Sequence, residues 1–386
     1  MSINNREDWL AQWSEYGLFF TDHLYIGNNR LVPPGSYTAD WDTGEVDSVT
    51  FKGTGGRDTL LGGGGELAAI FIGTRGNDLY GGGLALGDEE AFSYGVVDYS
   101  GARSSVVVNM DLRGSRTFTD ETGEVRTVSI IGRALKDGFG GHDDFLEGTA
   151  FGGGYSSVTT VIGSRFADTM VGQTFDGLYG GRGDDHLAGN ALYGGRGRDV
   201  LIGSAPEGSS VVLFGEEGDD WIFGTDGPGR TDVYLVGGAG DDRIFAGAGD
   251  DFVDGGLGKD VILSGAGNDV INPDVEYFQR DPTQPRDGAR DVILVTRADL
   301  GAYRDRILFN AFEEGRDQIR FGDAVRGGKD FRVYQEDDTA HPGRVNTILQ
   351  IDRNGDGFGE GAADVSDYFL VAQGADLSLH HGYLLT

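Results

Sequence analysis

The chain has 386 residues, of which 69 are glycine and 8 are proline, and it contains no cysteine. Acidic residues outnumber basic ones by 63 to 31, which gives a formal net charge of −32. Such a charge disfavours nucleic acid and anionic lipid surfaces as partners, because both are repelled. Without cysteine there is no disulfide framework and no thiolate metal site, so hard cations with oxygen ligands are the natural neutralising partners.

The first 50 residues are rich in tryptophan, since Trp9, Trp13 and Trp41 are three of the 4 in the chain. Trp9, Trp13 and Tyr16 have the spacing of one helix face, which predicts a short helix. The helix either covers the open end of a repeat fold, which needs a cap, or presents an aromatic patch to a glycan or a partner protein. The sequence favours the cap, because no set of polar residues surrounds the aromatic face.

The start of the chain, MSINNREDWLAQW, lacks the basic and apolar regions of a cleaved signal peptide. No apolar run of about 18 residues occurs, so no integral membrane span is predicted. We therefore expect any export of the protein to use another route.

Four nine-residue units follow one another from residue 237 to 272, and they read GGAGDDRIF, AGAGDDFVD, GGLGKDVIL and SGAGNDVIN. Each has an aspartate at its sixth position and an apolar residue at its eighth. The glycines allow tight turns in which backbone carbonyls crowd inward, and the carboxylate adds a charged oxygen of the kind that calcium prefers. The apolar position fits a very short strand that buries one side chain.

Two such units complete one turn of a solenoid, so we predict an all-β fold, a parallel β-roll of GGxGxDxUx nonapeptides with two sheets and small caps at both ends. Asp242 and Asp260 are expected on one edge of the roll, and Asp251 and Asp269 on the other. A single unit cannot hide its apolar residue, so stability must come from stacking and from the bound ion. The fold is therefore predicted to depend on calcium.

Further copies of the unit lie upstream. GGRGDDHLA and GGRGRDVLI are intact, GEEGDDWIF is looser, and GTGGRDTL, GTRGNDLY, GFGGHDDF and GSRFADTM keep only the aspartate and the apolar residue two places later. Several calcium ions are expected, and the predicted ligands are Asp58, Asp78, Asp143, Asp168, Asp185, Asp199, Asp220, Asp242, Asp251, Asp260 and Asp269.

The nonapeptides resemble the calcium-binding repeats of the repeats-in-toxin (RTX) family. The resemblance implies a secreted protein, free or attached to the cell surface, whose roll folds on binding extracellular calcium. The segments VVDYSGARSSVVVNMDL and VTTVIGSRFADTMVG resemble the insert found between repeats in this family. Ser104 to Leu112 alternates as a strand does, and the length of the insert predicts hairpins that project from the roll.

The segments DVILVTRADL, DRILFNAFEEGRDQIRFGD, TILQIDRNGDGFGEGAAD and DYFLVAQGADLSL resemble the C-terminal region of the serralysin proteases. The resemblance implies a β-rich cap and an uncleaved export signal in DLSLHHGYLLT, with the type I secretion apparatus as a partner. Asp352, Asn354 and Asp356 resemble the start of an EF-hand loop, but its twelfth position is Ala363. A tight hairpin turn is favoured there over a calcium ligand set.

The predicted organisation is an N-terminal cap with a short helix over residues 1–50, a calcium-binding roll over 51–275 with an inserted strand region at about 95–137, and a C-terminal β-rich cap with the type I secretion region over 276–386. We expect the repeats to stop after Asn272, where a polar segment with two prolines follows.

No catalytic motif accompanies the repeats, because both the H-E-x-x-H of zinc proteases and G-x-S-x-G are absent. The sequence favours a structural or adhesive role in a biofilm matrix, surface layer or cell contact, with self-association or an extracellular polysaccharide as the interaction. The alternative is a carbohydrate-active enzyme or its binding module, similar to alginate epimerases and lyases. An RTX toxin is disfavoured, because no apolar pore-forming segment precedes the repeats.

Overall fold

The structure is a computed structural model of the full chain. It describes residues 25–27, 36–39, 46–53, 55–61, 68–81, 95–119, 125–148, 155–156, 158–172, 177–206, 209–225, 233–274, 287–296, 304–307, 312, 316–321, 331–337, 342, 345–352, 368–372 and 384–385. The predicted N-terminal helix with its aromatic face lies outside these residues, and so do most of the EF-hand-like loop and the export signal.

Every regular element in the described residues is a strand, which confirms the all-β prediction. Within this part of the chain, no helix has the length and apolar character that a membrane crossing requires. The strands are β1 (Tyr25–Gly27), β2 (Ser36–Ala39), β3 (Val46–Lys52), β4 (Asp58–Leu61), β5 (Ala68–Ile72), β6 (Leu79–Gly81), β7 (Gly95–Asp98), β8 (Val107–Thr119), β9 (Val125–Lys136), β10 (Asp143–Gly148), β11 (Tyr155–Ser156), β12 (Val158–Ile162), β13 (Thr169–Val171), β14 (Gly177–Arg182), β15 (His186–Gly189), β16 (Ala191–Arg196), β17 (Val200–Gly203), β18 (Val211–Glu217), β19 (Trp221–Thr225), β20 (Val233–Ala239), β21 (Arg243–Gly247), β22 (Phe252–Leu257), β23 (Val261–Leu263), β24 (Val270–Asn272), β25 (Val292–Val295), β26 (Arg304–Ile307), β27 (Gln318–Phe321), β28 (Phe331–Asp337), β29 (Val345–Ile351), β30 (Tyr368–Ala372) and β31 (Leu384–Leu385).

The chain divides into two compact units, Met1–Ala191 and Leu192–Thr386, here called unit 1 and unit 2. In unit 2, strands alternate between two sheets along the chain. One sheet has the order β17-β19-β21-β23-β25-β27-β31, and the other has the order β16-β18-β20-β22-β24-β26-β30-β29-β28. Neighbouring strands are parallel except in the β28–β29–β30 meander. This is the predicted parallel β-roll.

Unit 1 follows the same plan, with sheets ordered β1-β4-β6-β10-β9-β8-β13-β15 and β2-β3-β5-β7-β12-β14. The insert forms an antiparallel hairpin from β8 and β9. Strand β9 pairs antiparallel with β10, and β8 pairs parallel with β13. The hairpin is therefore part of the sheet, and it adds two long strands between β10 and β13.

The apolar residue two places after each repeat aspartate lies in the interior, as the repeat predicts. Ile244, Val253, Ile262 and Ile271 are fully buried, and Ile244 pairs with Ile262 one turn later. The interior of unit 1 contains larger side chains. Phe51, Phe71, Tyr80 and Phe145 are buried and stack in a row with ring centroids 5.5, 5.4 and 6.4 Å apart.

Candidate metal centres

The loops of the intact repeats are shaped by glycines at their second and fourth positions. In the loop that contains Asp242, Gly238 has φ 110° and Gly240 has φ 145°. Only glycine adopts this left-handed backbone without strain. A methyl group on Gly238 or Gly240 would also collide with the backbone of the preceding coil, so both glycines are fixed by stacking as well.

The first glycine of the repeat lies where two oxygens converge. A methyl group on Gly237 would sit 2.4 Å from Oδ2 of Asp242 and 2.3 Å from the carbonyl oxygen of Gly255 in the next coil. The same arrangement recurs at Gly215, with Oδ2 of Asp220 and the carbonyl of Gly237, each 2.4 Å from the added methyl. Each loop thus offers a carboxylate oxygen and a neighbouring carbonyl oxygen on one side, which is the donor chemistry of a calcium site.

A ladder of hydrogen bonds joins the aspartates along one edge of unit 2. The backbone N–H of Asp220 donates to Oδ1 of Asp242 (2.7 Å), and that of Asp242 donates to Oδ1 of Asp260 (2.9 Å). Asp199 precedes them through its N–H bond to Oδ1 of Asp220 (2.8 Å). One carboxylate oxygen of each aspartate is therefore committed to the backbone of the preceding coil.

The other edge has its own ladder, in which the N–H of Asp251 donates to Oδ1 of Asp269 (2.9 Å). Asp242 and Asp260 thus share one edge while Asp251 and Asp269 share the other, and the alternation predicted from the nine-residue period is confirmed.

The second carboxylate oxygen is a buried acceptor. Within the described residues, Oδ2 of Asp220, Asp242 and Asp260 has no hydrogen-bond partner, and all three side chains are fully buried. Burial raises the pKa of Asp220 to about 8, of Asp242 to about 7 and of Asp260 to about 9. A buried carboxylate without a donor is costly unless a cation neutralises it.

The predicted ligands of unit 1 have different surroundings. Oδ2 of Asp78 accepts hydrogen bonds from the hydroxyls of Thr74 and Tyr80, both at 3.2 Å. Oδ2 of Asp143 accepts one from the hydroxyl of Tyr99 at 2.8 Å.

Asp168 belongs to the same group. Its Oδ1 accepts the hydroxyl of Ser164 at 2.8 Å, and its Oδ2 accepts the N–H of Ser164 at 2.5 Å. Burial raises the pKa of Asp168, of Asp78 and of Asp143 as well, so the donors, not the burial, separate the two units.

The ladders of unit 1 connect the remaining predicted residues. Asp58 donates its N–H to Oδ1 of Asp78, and Asp78 donates to Oδ1 of Asp143, both at 2.8 Å. Asp168 donates to Oδ1 of Asp185 at 2.7 Å. All eleven predicted aspartates are buried at an edge of the roll, but no point in the described part of the chain gathers three acidic or histidine side chains as a metal cluster. An ion held there needs backbone carbonyls.

Three ladder members were missed in the sequence. Asp260 donates its N–H to Oδ1 of Asp291, which donates to Oδ1 of Asp317, and Asp269 donates to Oδ1 of Asp305. The ladder therefore continues beyond Asn272, although the glycine pattern ends there. The signal was present, because each of the three is followed by an apolar residue two places later, as in a repeat.

Asp137 was missed as well. Its Oδ1 accepts three backbone N–H groups, from Phe139, Gly140 and Gly141, while its buried Oδ2 has no partner in the described residues. No repeat pattern marks this position in the sequence.

The family model of the RTX calcium-binding nonapeptide repeat (4 copies) matches residues 48–66, 154–201, 189–205, 209–228 and 235–271. The chain therefore contains calcium-binding repeats of the RTX type. No curated protein matches it in sequence at a significant level. The matched ranges contain all the predicted ligands except Asp78 and Asp143, which are two of the hydroxyl-bonded aspartates of unit 1.

Proposed function

We propose that this RTX protein acts outside the cell as a structural or adhesive element, and that unit 2 of its roll folds by binding calcium in the repeat loops. The observation that carries the calcium-dependent folding is the row of buried Oδ2 atoms of Asp220, Asp242 and Asp260, which have no donor in the described residues. The net charge of −32 points the same way, because an acidic chain is compacted by divalent cations.

The two carboxylate oxygens of each repeat aspartate have different roles. The other predicted ligands of unit 2, Asp199, Asp251 and Asp269, and Asp185 of unit 1 are proposed to bind calcium as well. In each loop, Oδ1 fixes the carboxylate through the ladder and Oδ2 faces the glycine carbonyls. Calcium supplies the positive charge that these buried oxygens lack. The affinity expected for extracellular modules of this kind is about 0.1–1 mM.

Asp242→Asn tests the ligand assignment, because it removes one charged oxygen and keeps the size of the side chain. We expect calcium affinity in isothermal titration calorimetry to fall about tenfold or more, since ligand charge sets the affinity of such sites. Asp241→Asn is the matched control. It changes the same charge on the adjacent residue, whose exposed side chain accepts the N–H of Lys259.

Equal affinities of the two variants would contradict calcium binding at Asp242. In the same titration, far-UV circular dichroism of the wild-type chain should change strongly between chelator and about 1 mM calcium. A spectrum that is the same in both conditions would remove the calcium-dependent fold.

A polysaccharide-binding module is the second candidate, and the outer faces of unit 2 favour it. Tyr193, Phe214, Tyr234 and Phe252 are half-buried and form a continuous row, with ring centroids 5.2, 5.9 and 4.9 Å apart. On the other sheet, Trp221 is 43% exposed and the Arg243 guanidinium lies 5.2 Å from its ring. Aromatic rings beside a cation are able to stack on sugars and pair with their carboxylates.

Affinity electrophoresis in acidic polysaccharide gels separates the two candidates. A binding module should be retarded by the polymer in calcium, and Trp221→Ala should lower this retardation. A structural element should instead show calcium-dependent self-association in light scattering, with mobility in the gel that does not depend on the polymer.

A further inference from the structure

The aspartates of unit 1 and unit 2 differ in the hydrogen-bond donors that their carboxylate oxygens receive. Asp78, Asp143 and Asp168 receive donors on both carboxylate oxygens from within unit 1. Asp242 and Asp260 receive a donor only on Oδ1 in the described residues. A loop whose buried carboxylate accepts hydrogen bonds on both oxygens needs no ion to remain folded, whereas a loop with an unpartnered carboxylate oxygen does.

The local cause is the second position of the repeat. It is Gly238 in the loop of Asp242, but Thr74 in the loop of Asp78 and Ser164 in the loop of Asp168. Gly238 is left-handed, whereas Thr74 and Ser164 are not. The ordinary backbone conformation places their hydroxyls on the aspartate four residues later.

The insert contributes a positively charged side chain, the guanidinium of Arg116, to the loops of unit 1. Arg116 of β8 is buried, and its Nη1 donates to the carbonyl of Asp78 (2.5 Å) and to Oδ2 of Asp144 (3.3 Å). Its Nη2 donates to the carbonyl of Asn77 (2.5 Å). The guanidinium thus binds two loop carbonyl oxygens and a carboxylate oxygen. These are the same types of oxygen that a repeat loop of unit 2 offers to calcium.

The interior of unit 1 adds apolar stabilisation that the repeats of unit 2 lack. Its row of Phe51, Phe71, Tyr80 and Phe145 buries aromatic rings, whereas the aspartate-following positions of unit 2 bury aliphatic side chains such as Ile244 and Ile262. Aromatic side chains remove more area from water than aliphatic ones do.

We propose that the coils of unit 1 from Gly73 to Val171 fold without calcium, because their own hydroxyls satisfy Asp78, Asp143 and Asp168 and the Arg116 guanidinium binds two loop carbonyls. Asp137, whose Oδ2 has no partner in the described residues, is the exception. This inference rests on the proposed calcium-dependent folding of unit 2. It divides ten of the eleven candidate ligands into a calcium-binding set and an internally bonded set, and Asp78, Asp143 and Asp168 belong to the second.

Hydrogen-deuterium exchange of the full chain tests the proposal, with mass spectrometry comparing chelator and calcium. Peptides within residues 95–171 should exchange equally slowly in both conditions. Peptides within 237–272 should lose about a hundredfold of their protection when calcium is removed from one hundred times its dissociation constant.

The remaining outcomes separate the two proposals. If chelator lowers protection in both regions, unit 1 also depends on calcium and the inference is wrong, while the proposed function stands. If chelator lowers protection in neither region, the calcium-dependent folding of unit 2 is wrong, and the division of the roll falls with it. If it lowers protection only in 95–171, both are wrong.

Ser164→Gly gives a second test, because it installs the glycine of an intact repeat and removes the hydroxyl that donates to Oδ1 of Asp168. Exchange within 158–171 should become faster in chelator and slow down again in calcium. Ser100→Gly is the matched control, since Ser100 is exposed in a turn of the same unit, and it should leave exchange unchanged in both conditions. The same exchange in the two variants would overturn the role of the hydroxyl.

The number of bound ions provides a readout independent of folding rates. Asp168→Asn should bind as many calcium ions as the wild-type chain in equilibrium dialysis, and Asp242→Asn should bind at least one fewer. Loss of an ion in Asp168→Asn would place calcium at Asp168 and contradict the division.

Discussion

Unit 1 and unit 2 use one architecture with two ways to stabilise buried carboxylates. In both units an aspartate follows a tight loop, its Oδ1 accepts the N–H of a preceding residue at the same edge, and the next apolar residue but one is buried. In unit 1, side chains complete the hydrogen bonding of Asp78 and Asp143. In unit 2, Oδ2 of Asp242 and Asp260 has no donor in the described residues, and we propose that calcium neutralises it.

The difference shows that the aspartate alone does not define a calcium site. Asp168 and Asp242 occupy the same position of their repeats and are equally buried. What differs is the residue four places earlier, a serine in one loop and a glycine in the other. A hydroxyl competes with the ion for the same carboxylate, so the neighbour decides which of the two is used.

Arg116→Met should cause the largest effect, which is a lower free energy of unfolding of unit 1. The substitution removes three hydrogen bonds of a buried guanidinium, to Oδ2 of Asp144 and to the carbonyls of Asp78 and Asn77. Hydrogen bonds to a charged group are the stronger ones, so we expect a loss of about 3–5 kcal/mol that calcium does not restore. Thermal and denaturant unfolding in calcium would measure it.

Arg196→Met is the control for Arg116→Met. Arg196 pairs with Glu217 at 3.0 Å, but both side chains are mostly exposed, so the loss should stay below about 1 kcal/mol. Similar losses in the two variants would mean that the buried guanidinium does not stabilise unit 1.

Gly237→Ala should have the next largest effect, and it acts on unit 2. The added methyl lies 2.4 Å from Oδ2 of Asp242 and 2.3 Å from the Gly255 carbonyl, so it crowds the oxygens proposed to bind the ion. Overpacking of this kind costs about 1–3 kcal/mol, which corresponds to a loss of about fivefold to 150-fold in calcium affinity. Gly55→Ala, where nothing lies within 4 Å of the added methyl, should bind calcium as the wild type does.

Acid should partly substitute for calcium in unit 2, which is the smallest of the three effects. Folding raises the pKa of Asp220 to about 8 and of Asp260 to about 9, so between about pH 4 and 9 the calcium-free folded state binds more protons than the unfolded one. Its stability is therefore fully present at low pH and is lost as the pH rises through these values.

Circular dichroism of calcium-stripped protein, without chelator, should show more strand at about pH 5 than at about pH 8. Calcium affinity should change in the opposite direction and fall toward low pH, because protons and calcium compete for the same carboxylates. Strand content that rises with pH in the calcium-free protein would contradict the assigned burial of these aspartates.

Much of the fold of unit 2 was predictable, because it follows from a short sequence pattern that repeats along the chain. The nine-residue period predicts one strand for each unit, and two units for each turn, so the separate edges of Asp242 and Asp251 follow from counting. The continuation through Asp291, Asp305 and Asp317 was less visible, because the chain between these strands has irregular length and no glycine pattern.

The amino-acid sequence by itself determined the β-roll, its buried aspartates and the apolar residue that follows each of them, because glycine turns and a fixed period restrict the backbone to one path. The tertiary structure alone decided which distant side chains donate to these coils, in addition to the local hydroxyls of Thr74 and Ser164. Tyr99 reaches Asp143 across 44 positions of sequence, and Arg116 reaches Asp78 across 38. Such contacts depend on how distant coils and the insert stack, and no repeat pattern encodes that stacking.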